Sequence, residues 1–433
     1  MYIGIDLGTT GCKTVLYDSE GVAKAEFNKE YSLICNDGYV EQDAEDWWNL
    51  VLEGLTFVTK ECGGGDVAGI SVSTQGIAVV PVDEKGNTLA NAISWLDVRA
   101  DAEAEELAER FGREEIYRKT GKYCNPEYTL PKLMWWKKNM PELFGKAHKF
   151  LLPLDFLNMR LTGRAICDYS IAGGTMAYNI IDKKYDPMLM DFAGITEDRL
   201  PEVGCMGDFV GRILPEVARL TGISDKCEIY LGGQDQKLAA LGAGIDESSV
   251  TVSFGTATAV TKLTKTLPDE MNFSRFRFNE EYYSYEGVVS TSGAALKWAA
   301  NTIFGGLTYK ELDELAIEAG SSAGVTFDTD LTSDGVISGL TLGTTKGNIV
   351  YALFEGVSRA IAGFAHEMGG CDKLYVFGGG SKSKIWCQIL ADVSGCLIVS
   401  LDTPETASLG AAILASKGKL KSAKAAKEFI PAV

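Results

Sequence analysis

The sequence predicts a two-domain α/β protein in which one structural plan is used twice. Three observations carry that prediction. The chain has 433 residues, more than one hydrophobic core ordinarily serves, so two domains are expected. It opens on MYIGIDLGTTGCK, where an apolar run, a Gly/Thr turn and a second strand-like run over 13–17 follow one another, the pattern of a β-hairpin. The same plan returns at mid-chain, where runs over 249–253 and 259–263 flank Phe254-Gly255-Thr256-Ala257-Thr258. Two copies of a strand–turn–strand plan suggest a pseudo-two-fold pair of domains facing one ligand. Two unrelated hairpins are the alternative on pattern alone.

The elements follow in order. Gly8, Thr9, Thr10 and Gly11 form the first tip. Glycine there permits positive φ and close approach, and the tip offers N–H groups and two hydroxyls to an anion; an ordinary turn uses the same residues. Asp43 suits an N-cap, after which Trp47, Val51, Leu52, Leu55 and Val58 make a helical apolar face. A buried strand over 67–72 delivers Ser73-Thr74-Gln75-Gly76, and another over 77–82 reverses at 83–87 before Trp95-Leu96-Asp97-Val98-Arg99. Polar groups at strand ends of an α/β sheet are where ligands usually sit. Residues 101–165 read mostly as helices: a charged one over 101–111, one opened by Pro131 and one over 157–162 with Gly163 as C-cap. Residues 166–215 read as long and irregular. A strand over 228–231 then ends in Gly232-Gly233-Gln234-Asp235-Gln236, and a small-residue helix follows over 239–244.

Beyond the second hairpin, amphipathic helices are expected over 295–303 and 348–368. A short buried strand over 373–377 ends in Gly378-Gly379-Gly380-Ser381 and precedes a helix over 384–393. The closing helix over 404–415 carries Ala407, Gly410 and Ala411, which suit close packing.

Composition narrows the function classes. The chain is 46% hydrophobic and 23% charged, as soluble globular proteins are, and 48 glycines against 11 prolines favour tight turns over stiff linkers. A net charge of −18 argues against a nucleic-acid partner, because phosphate backbones select an excess of Lys and Arg. The ten cysteines form no CxxC pair, so neither a zinc site nor a disulfide framework is expected, and reduced thiols in the cytoplasm are. The N-terminus runs directly into a strand, leaving no room for a signal peptide, and no apolar run reaches about 18 residues. A soluble cytoplasmic protein is therefore expected. His148 and His366 have no Ser or Cys partner visible in sequence, and a hydrolase reading fails with them.

Three glycine-rich turns in this order resemble the sugar-kinase, actin and chaperone-ATPase superfamily, and within it the FGGY family of carbohydrate kinases. DLGTTGCK resembles that family's first phosphate loop, SFGTAT (253–258) its second, and GGQDQ (232–236) the segment holding its catalytic aspartate. VFGGGSKSKIWCQILADVSG (376–395) is similar to the adenosine-binding turn and its helix, and ETASLGAAILA (405–415) to the closing helix. TLPKLMWW (129–136) and GVISGLTLGTTKGNIVYALFEG (335–356) approximate the two family signatures, with Leu353 where a smaller residue or methionine is usual. The resemblance spans the chain. It implies two ribonuclease-H-like, actin-like ATPase domains with a cleft between them that closes on substrate, the first over 1–244 and the second over 245–433.

The resemblance also implies the chemistry: ATP-dependent phosphorylation of a sugar or polyol hydroxyl, with Mg²⁺. Asp235 is the expected general base, since it ends a strand and glycines beside it let substrate approach. Gly8, Thr9, Thr10, Gly255 and Thr256 are expected at the ATP phosphates, with Lys13 adding charge unless it faces solvent. Gly378, Gly379, Gly380 and Ser383 are expected at the adenosine, with Trp386 as a packing residue. Asp6 suits Mg²⁺ held through water, a turn-capping carboxylate being the alternative. Gln75, Gly76, Trp95, Asp97, Asp235 and Gln236 are expected around the acceptor.

Two departures stand out. After Gln75 the chain has Gly76-Ile77, where glycerol kinases carry Arg-Glu and xylulose kinases Met-His. The usual GER-P segment is replaced by VTFDTDLTSDG (325–335). GYVEQDAEDWW (38–48) resembles the xylulose kinases, which makes a ketopentose such as xylulose the expected substrate, ahead of another pentulose or a short polyol. A non-catalytic ATP-binding sugar sensor of the same fold is the competing reading, and a homodimer is left open.

Overall fold

The opening apolar run forms β1 (Tyr2–Leu7), in which Ile3, Ile5 and Leu7 are fully buried. In the computed structural model, which describes residues 1–61, 66–268, 270–328, 331–332 and 335–432, β1 pairs antiparallel with β2 (Gly11–Tyr17), and β2 with β3 (Ala23–Glu30). Helix α1 (Ala44–Glu61) buries Trp47, Val51, Leu55 and Val58 on the face their spacing dictates. β1 runs parallel to β4 (Gly69–Thr74). Helix α2 (Pro153–Thr162) follows, ended by Gly163 in the left-handed conformation.

Residues 166–215, expected to be irregular, are more ordered than that. They contain the strand Ile166–Asp168, the one-turn helix α3 (Tyr169–Gly173) and β5 (Phe209–Arg212). Such short elements carry too little periodicity to be read from pattern. β5 pairs antiparallel with β6 (Glu228–Gln234), β6 pairs parallel with β4, and helix α4 (Asp235–Ala243) follows at once. The sheet order is β5-β6-β4-β1-β2-β3. These elements belong to one compact unit, comprising 1–242, 265–284 and 407–422.

The closing helix Thr406–Ala415 packs in this unit through its small residues. A Cβ on Gly4 would lie 1.8 Å from Ser408 O, and one on Gly410 would lie 2.0 Å from Leu238 O, so backbone meets backbone at both places.

The second unit comprises 243–264, 285–406 and 423–433. Its hairpin is β7 (Ser249–Phe254) and β8 (Thr258–Thr264), followed by β9 (Tyr283–Val289) and helix α5 (Gly293–Trp298). The helix expected over 295–303 is regular only to Trp298; a wider π-helical turn occupies Ala299–Ile303. Then come α6 (Tyr309–Ala319), α7 (Lys346–Glu367), β10 (Lys373–Gly378), α8 (Lys384–Ser394), β11 (Leu397–Leu401) and β12 (Ala425–Phe429). The segment VTFDTDLTSDG falls partly outside the described residues.

The sheet contains the run β9-β8-β7-β10-β11-β12. β7 is antiparallel to β8 and parallel to β10, β10 is parallel to β11, and β12 closes the edge antiparallel. The first unit shows the same sequence of pairings outward from its own hairpin. The repeated turn pattern is thus a repeated topology.

Candidate active site

Three parallel strands of the first unit finish at one level. Leu7 pairs with Thr74, and Thr74 with Gln234. The next residues, Gly8, Gln75 and Asp235, therefore emerge side by side at the carboxyl edge of the sheet, where α/β proteins place ligands.

At the hairpin tip every carbonyl is held from the protein side. Gly8 O accepts from Tyr31 Oη at 2.6 Å, Thr9 O from Gln42 Nε2 at 2.8 Å and Thr10 O from Tyr31 N at 3.0 Å. The N–H groups of Thr9 and Thr10 find no protein acceptor among the described residues. Trp95 Nε1 donates to Thr9 Oγ1 at 3.0 Å, which ties the W-x-D loop to the tip. Asp6, next to the last residue of β1, accepts from Ser73 Oγ at 2.8 Å. Lys13 stands opposite Asp6 on β2 and also pairs with Glu26 at 3.2 Å.

Asp235 opens α4, and its Oδ1 accepts the N–H of Gln236 at 2.7 Å. The strand that delivers it is irregular, its register with β4 shifting between Tyr230 and Gly233. Glycine is required there, because a Cβ on Gly232 would lie 1.7 Å from Val72 O. Behind it, Ser170 Oγ accepts the N–H of Gln234 at 2.9 Å. Asp168 in turn caps α3, accepting from Ser170 N at 2.8 Å and Ile171 N at 3.1 Å. Burial pushes the Asp168 carboxyl up to about 6 against these stabilising donors.

Gln75 and Asp97 spend their side chains inside the protein. Gln75 is buried and bonds Gln42 and Tyr31. Asp97 accepts from Arg99 Nε at 2.8 Å, Arg99 Nη2 at 2.7 Å and Val40 N at 2.6 Å. Burial would raise its pKa, but these donors outweigh it and hold the carboxyl below the usual range. Lys132, of the TLPKL segment, donates to Ser94 O at 2.7 Å beside Trp95, and burial lowers its pKa to about 7.

Gly76 is open, since a Cβ there would meet only Gln234 Cγ, at 3.5 Å. Ile77 takes φ +52, a strained conformation for a β-branched residue. This interrupts the strand expected over 77–82, which begins only at Val80.

In the second unit the turn at Gly255-Thr256 is built likewise. Gly255 O accepts from Gly293 N at 3.2 Å, and Thr256 O from Ala294 N at 3.0 Å and Ser292 N at 3.2 Å. A cavity of about 1090 Å³ opens on this turn, lined also by Gly379, Gly380, Ser383, Asp313, Lys297 and Trp298 among others. Gly378 takes φ +85, and a Cβ on it would lie 2.5 Å from Phe254 O; one on Gly380 would meet Phe254 Cβ at 2.9 Å. Two of the three glycines thus serve contact with β7, and Gly379 is the open one. Ser383 caps α8 and donates to Asp313 Oδ1 at 2.8 Å. Trp386 is fully buried between Phe254 and Phe354, with ring centroids at 4.7 and 5.0 Å.

Among the described residues no three His, Cys, Asp or Glu side chains cluster as a metal cage. A single carboxylate such as Asp6 fits magnesium, which keeps its waters and binds mainly through substrate phosphates. Local pattern gave no signal for Tyr31 or Asp313, while Ser73 lay at a polar strand end and Asp168 and Ser170 in the region read as irregular, none of them assigned a role. Gln42 lay within the quoted GYVEQDAEDWW segment but was assigned no role.

Comparison with known proteins decides the family. Residues 1–242 match the N-terminal domain model of the FGGY family of carbohydrate kinases, and residues 250–418 match its C-terminal domain model. The chain belongs to the FGGY family of carbohydrate kinases. The kinase is 31% identical over 439 residues to the xylulose kinase of Bacillus subtilis (strain 168), covering 96% of this chain and 88% of that one. Its structure is similar to that of ligand-bound xylulose kinase from Lactobacillus acidophilus, with a TM-score of 0.93 and 26% identity, covering 100% and 94% of the two chains. A gluconate kinase from Lactobacillus acidophilus gives a TM-score of 0.92 at 26% identity, covering 100% and 93%. The α/β fold is thus the two-domain, actin-like ATPase fold of these kinases, and the activity is ATP-dependent sugar phosphorylation. No helix among the described residues is long and apolar enough to cross a membrane.

Proposed function

We propose that the kinase phosphorylates a ketopentose of the xylulose type, with Asp235 as general base and Mg²⁺ accompanying ATP. The observation that carries the reading is the row of strand ends presenting Gly8–Thr10, Gln75 and Asp235 at one sheet edge. Phosphoryl transfer needs positioning and charge neutralisation more than covalent chemistry. The N–H groups of Thr9 and Thr10 donate to phosphate oxygens in this reading, and Asp6 would hold Mg²⁺ through water, the ion supplying charge neutralisation at the phosphates. Asp235 takes the proton of the acceptor hydroxyl as its oxygen bonds to the γ-phosphorus and the bond to the bridging oxygen of ADP breaks. A base so placed contributes typically about 10²–10⁴-fold. In the second unit, the Gly255-Thr256 turn and the cavity over Gly379 are the nucleotide-binding elements.

Xylulose is favoured by the 31% identity to a xylulose kinase and by the GYVEQDAEDWW segment. Gluconate is the second reading, favoured by the similarity to a gluconate kinase. Coupled ADP release across xylulose, other pentuloses, short polyols, aldoses and gluconate tests it. The highest kcat/KM is expected with xylulose. A gluconate value above that of every ketopentose reverses the order, and no stimulation by any acceptor while ATP binds would overturn the ketopentose reading.

A further inference from the structure

We infer that Tyr31, Gln42 and Gln75 are positioning residues for the first phosphate turn, and that Gln75 serves the nucleotide rather than reading a sugar hydroxyl. The inference rests on the reading of Gly8–Thr10 as a phosphate-binding turn and concerns what gives that turn its shape.

The three side chains form one hydrogen-bond network behind the turn. A tyrosine hydroxyl has one proton and two lone pairs. Tyr31 Oη donates its proton to Gly8 O at 2.6 Å, and its oxygen accepts from Gln42 Nε2 at 3.1 Å and Gln75 Nε2 at 3.2 Å. All three capacities are used, so the proton has one destination. The two amides also face each other, Gln75 Nε2 donating to Gln42 Oε1 at 3.1 Å. Gln42 Nε2, with two N–H groups, has three acceptors within reach, Thr9 O at 2.8 Å being nearer than Tyr31 Oη at 3.1 Å and Gln75 Oε1 at 3.4 Å. Both glutamines are buried, at 0% and 2% exposure, where water does not compete for these bonds.

The consequence for the tip follows from peptide geometry. The C=O of residue i and the N–H of residue i+1 share one plane and point in opposite directions. Holding Gly8 O toward Tyr31 turns the N–H of Thr9 away from the protein body, and holding Thr9 O toward Gln42 does the same for the N–H of Thr10. The donors are aimed before any ligand arrives, so their orientation is not a cost of binding. The second unit reaches the same result by other means, because backbone N–H groups of Ser292, Gly293 and Ala294 hold the carbonyls of Gly255 and Thr256. Two turns of one type, each with its carbonyls held from behind by unrelated groups, indicate that this restraint belongs to the turn's function.

Tyr31→Phe removes one hydroxyl and little else, while Gln75→Leu removes the amide. Calorimetric titration with a non-hydrolysable ATP analogue and magnesium, beside steady-state kinetics, separates the two roles. Each variant is expected to weaken analogue binding and raise the KM for ATP by about five- to tenfold, the net worth of about one hydrogen bond at the turn, with the sugar KM changed less than about twofold. The double variant Tyr31→Phe/Gln75→Leu is expected to lose less than the product of the single effects, since both act on one carbonyl network. A raised sugar KM with unchanged analogue affinity in Gln75→Leu would overturn the inference, and so would unaltered binding in Tyr31→Phe. The amide NMR signals of Thr9 and Thr10 in the wild-type protein separate the two levels. If they fail to shift on adding the analogue, the phosphate-turn reading falls and takes the inference with it. If they shift and the variants bind normally, only the inference falls.

Discussion

Ser170 Oγ accepts the backbone N–H of Gln234 at 2.9 Å, one residue before Asp235. The bond joins the short helix α3 to the irregular end of β6. Ser170→Ala would leave that N–H without its acceptor, at a cost of about 1–3 kcal/mol. We expect kcat to fall by about tenfold or more, since about 1.4 kcal/mol is one decade, with the KM for ATP little changed. Unchanged kcat in a folded Ser170→Ala variant would show that the strand end holds its own position.

Stability should depend on pH through Asp155, which is fully buried on α2 and accepts the N–H of Leu152 at 2.8 Å. Burial raises its pKa from 3.8 to about 8. Between these values the folded state holds a proton that the unfolded chain has released. The contribution is fully present below the unfolded pKa and is lost as pH rises through about 8. Thermal melts over this window should show a falling trend that Asp155→Asn, neutral at every pH, largely removes. Parallel trends in the two proteins would count against it.

Gly410 should tolerate no side chain. A Cβ there would lie 2.0 Å from Leu238 O and 3.2 Å from Gly242 N, both backbone atoms of α4. Gly410→Ala is expected to destabilise by about 1–3 kcal/mol or more through overpacking, measured by urea unfolding. A midpoint equal to wild type would mean that the closing helix can retreat freely.

Gly76 and Ile77 offer a test of the acceptor pocket. The space beyond Gly76 admits a side chain, and Ile77 at φ +52 holds a conformation that histidine adopts more readily. Gly76→Met/Ile77→His should therefore fold, and is expected to lower the KM for xylulose by at least about threefold by adding a polar reader of its hydroxyls. An unchanged or raised KM would place the hydroxyl-reading groups elsewhere.

What sequence made legible were features carried by local pattern. The two hairpins, the face of α1 and the glycine that ends α2 follow from apolar spacing and turn residues, and the structure has them. The motif order also identified the family. Long-range partners were not legible. Gln42 meets Gln75 across 33 residues of chain, and Ser170 reaches Gln234 across 64. Gly410 looked suited to close packing, but nothing local named Leu238 as its partner. Asp97 shows a second limit. Its motif suggested contact with the acceptor, and nothing in the pattern showed that Arg99 and Val40 N hold its carboxylate.

The central claim is that Asp235 deprotonates the acceptor hydroxyl during transfer from ATP. The most direct measurement is single-turnover ADP formation by wild type and Asp235→Asn with saturating xylulose and Mg-ATP, beside a binding titration of each ligand. The account predicts near-normal binding of both ligands and a loss of about 10²–10⁴-fold in the chemical step. Turnover within a few-fold of wild type would contradict it.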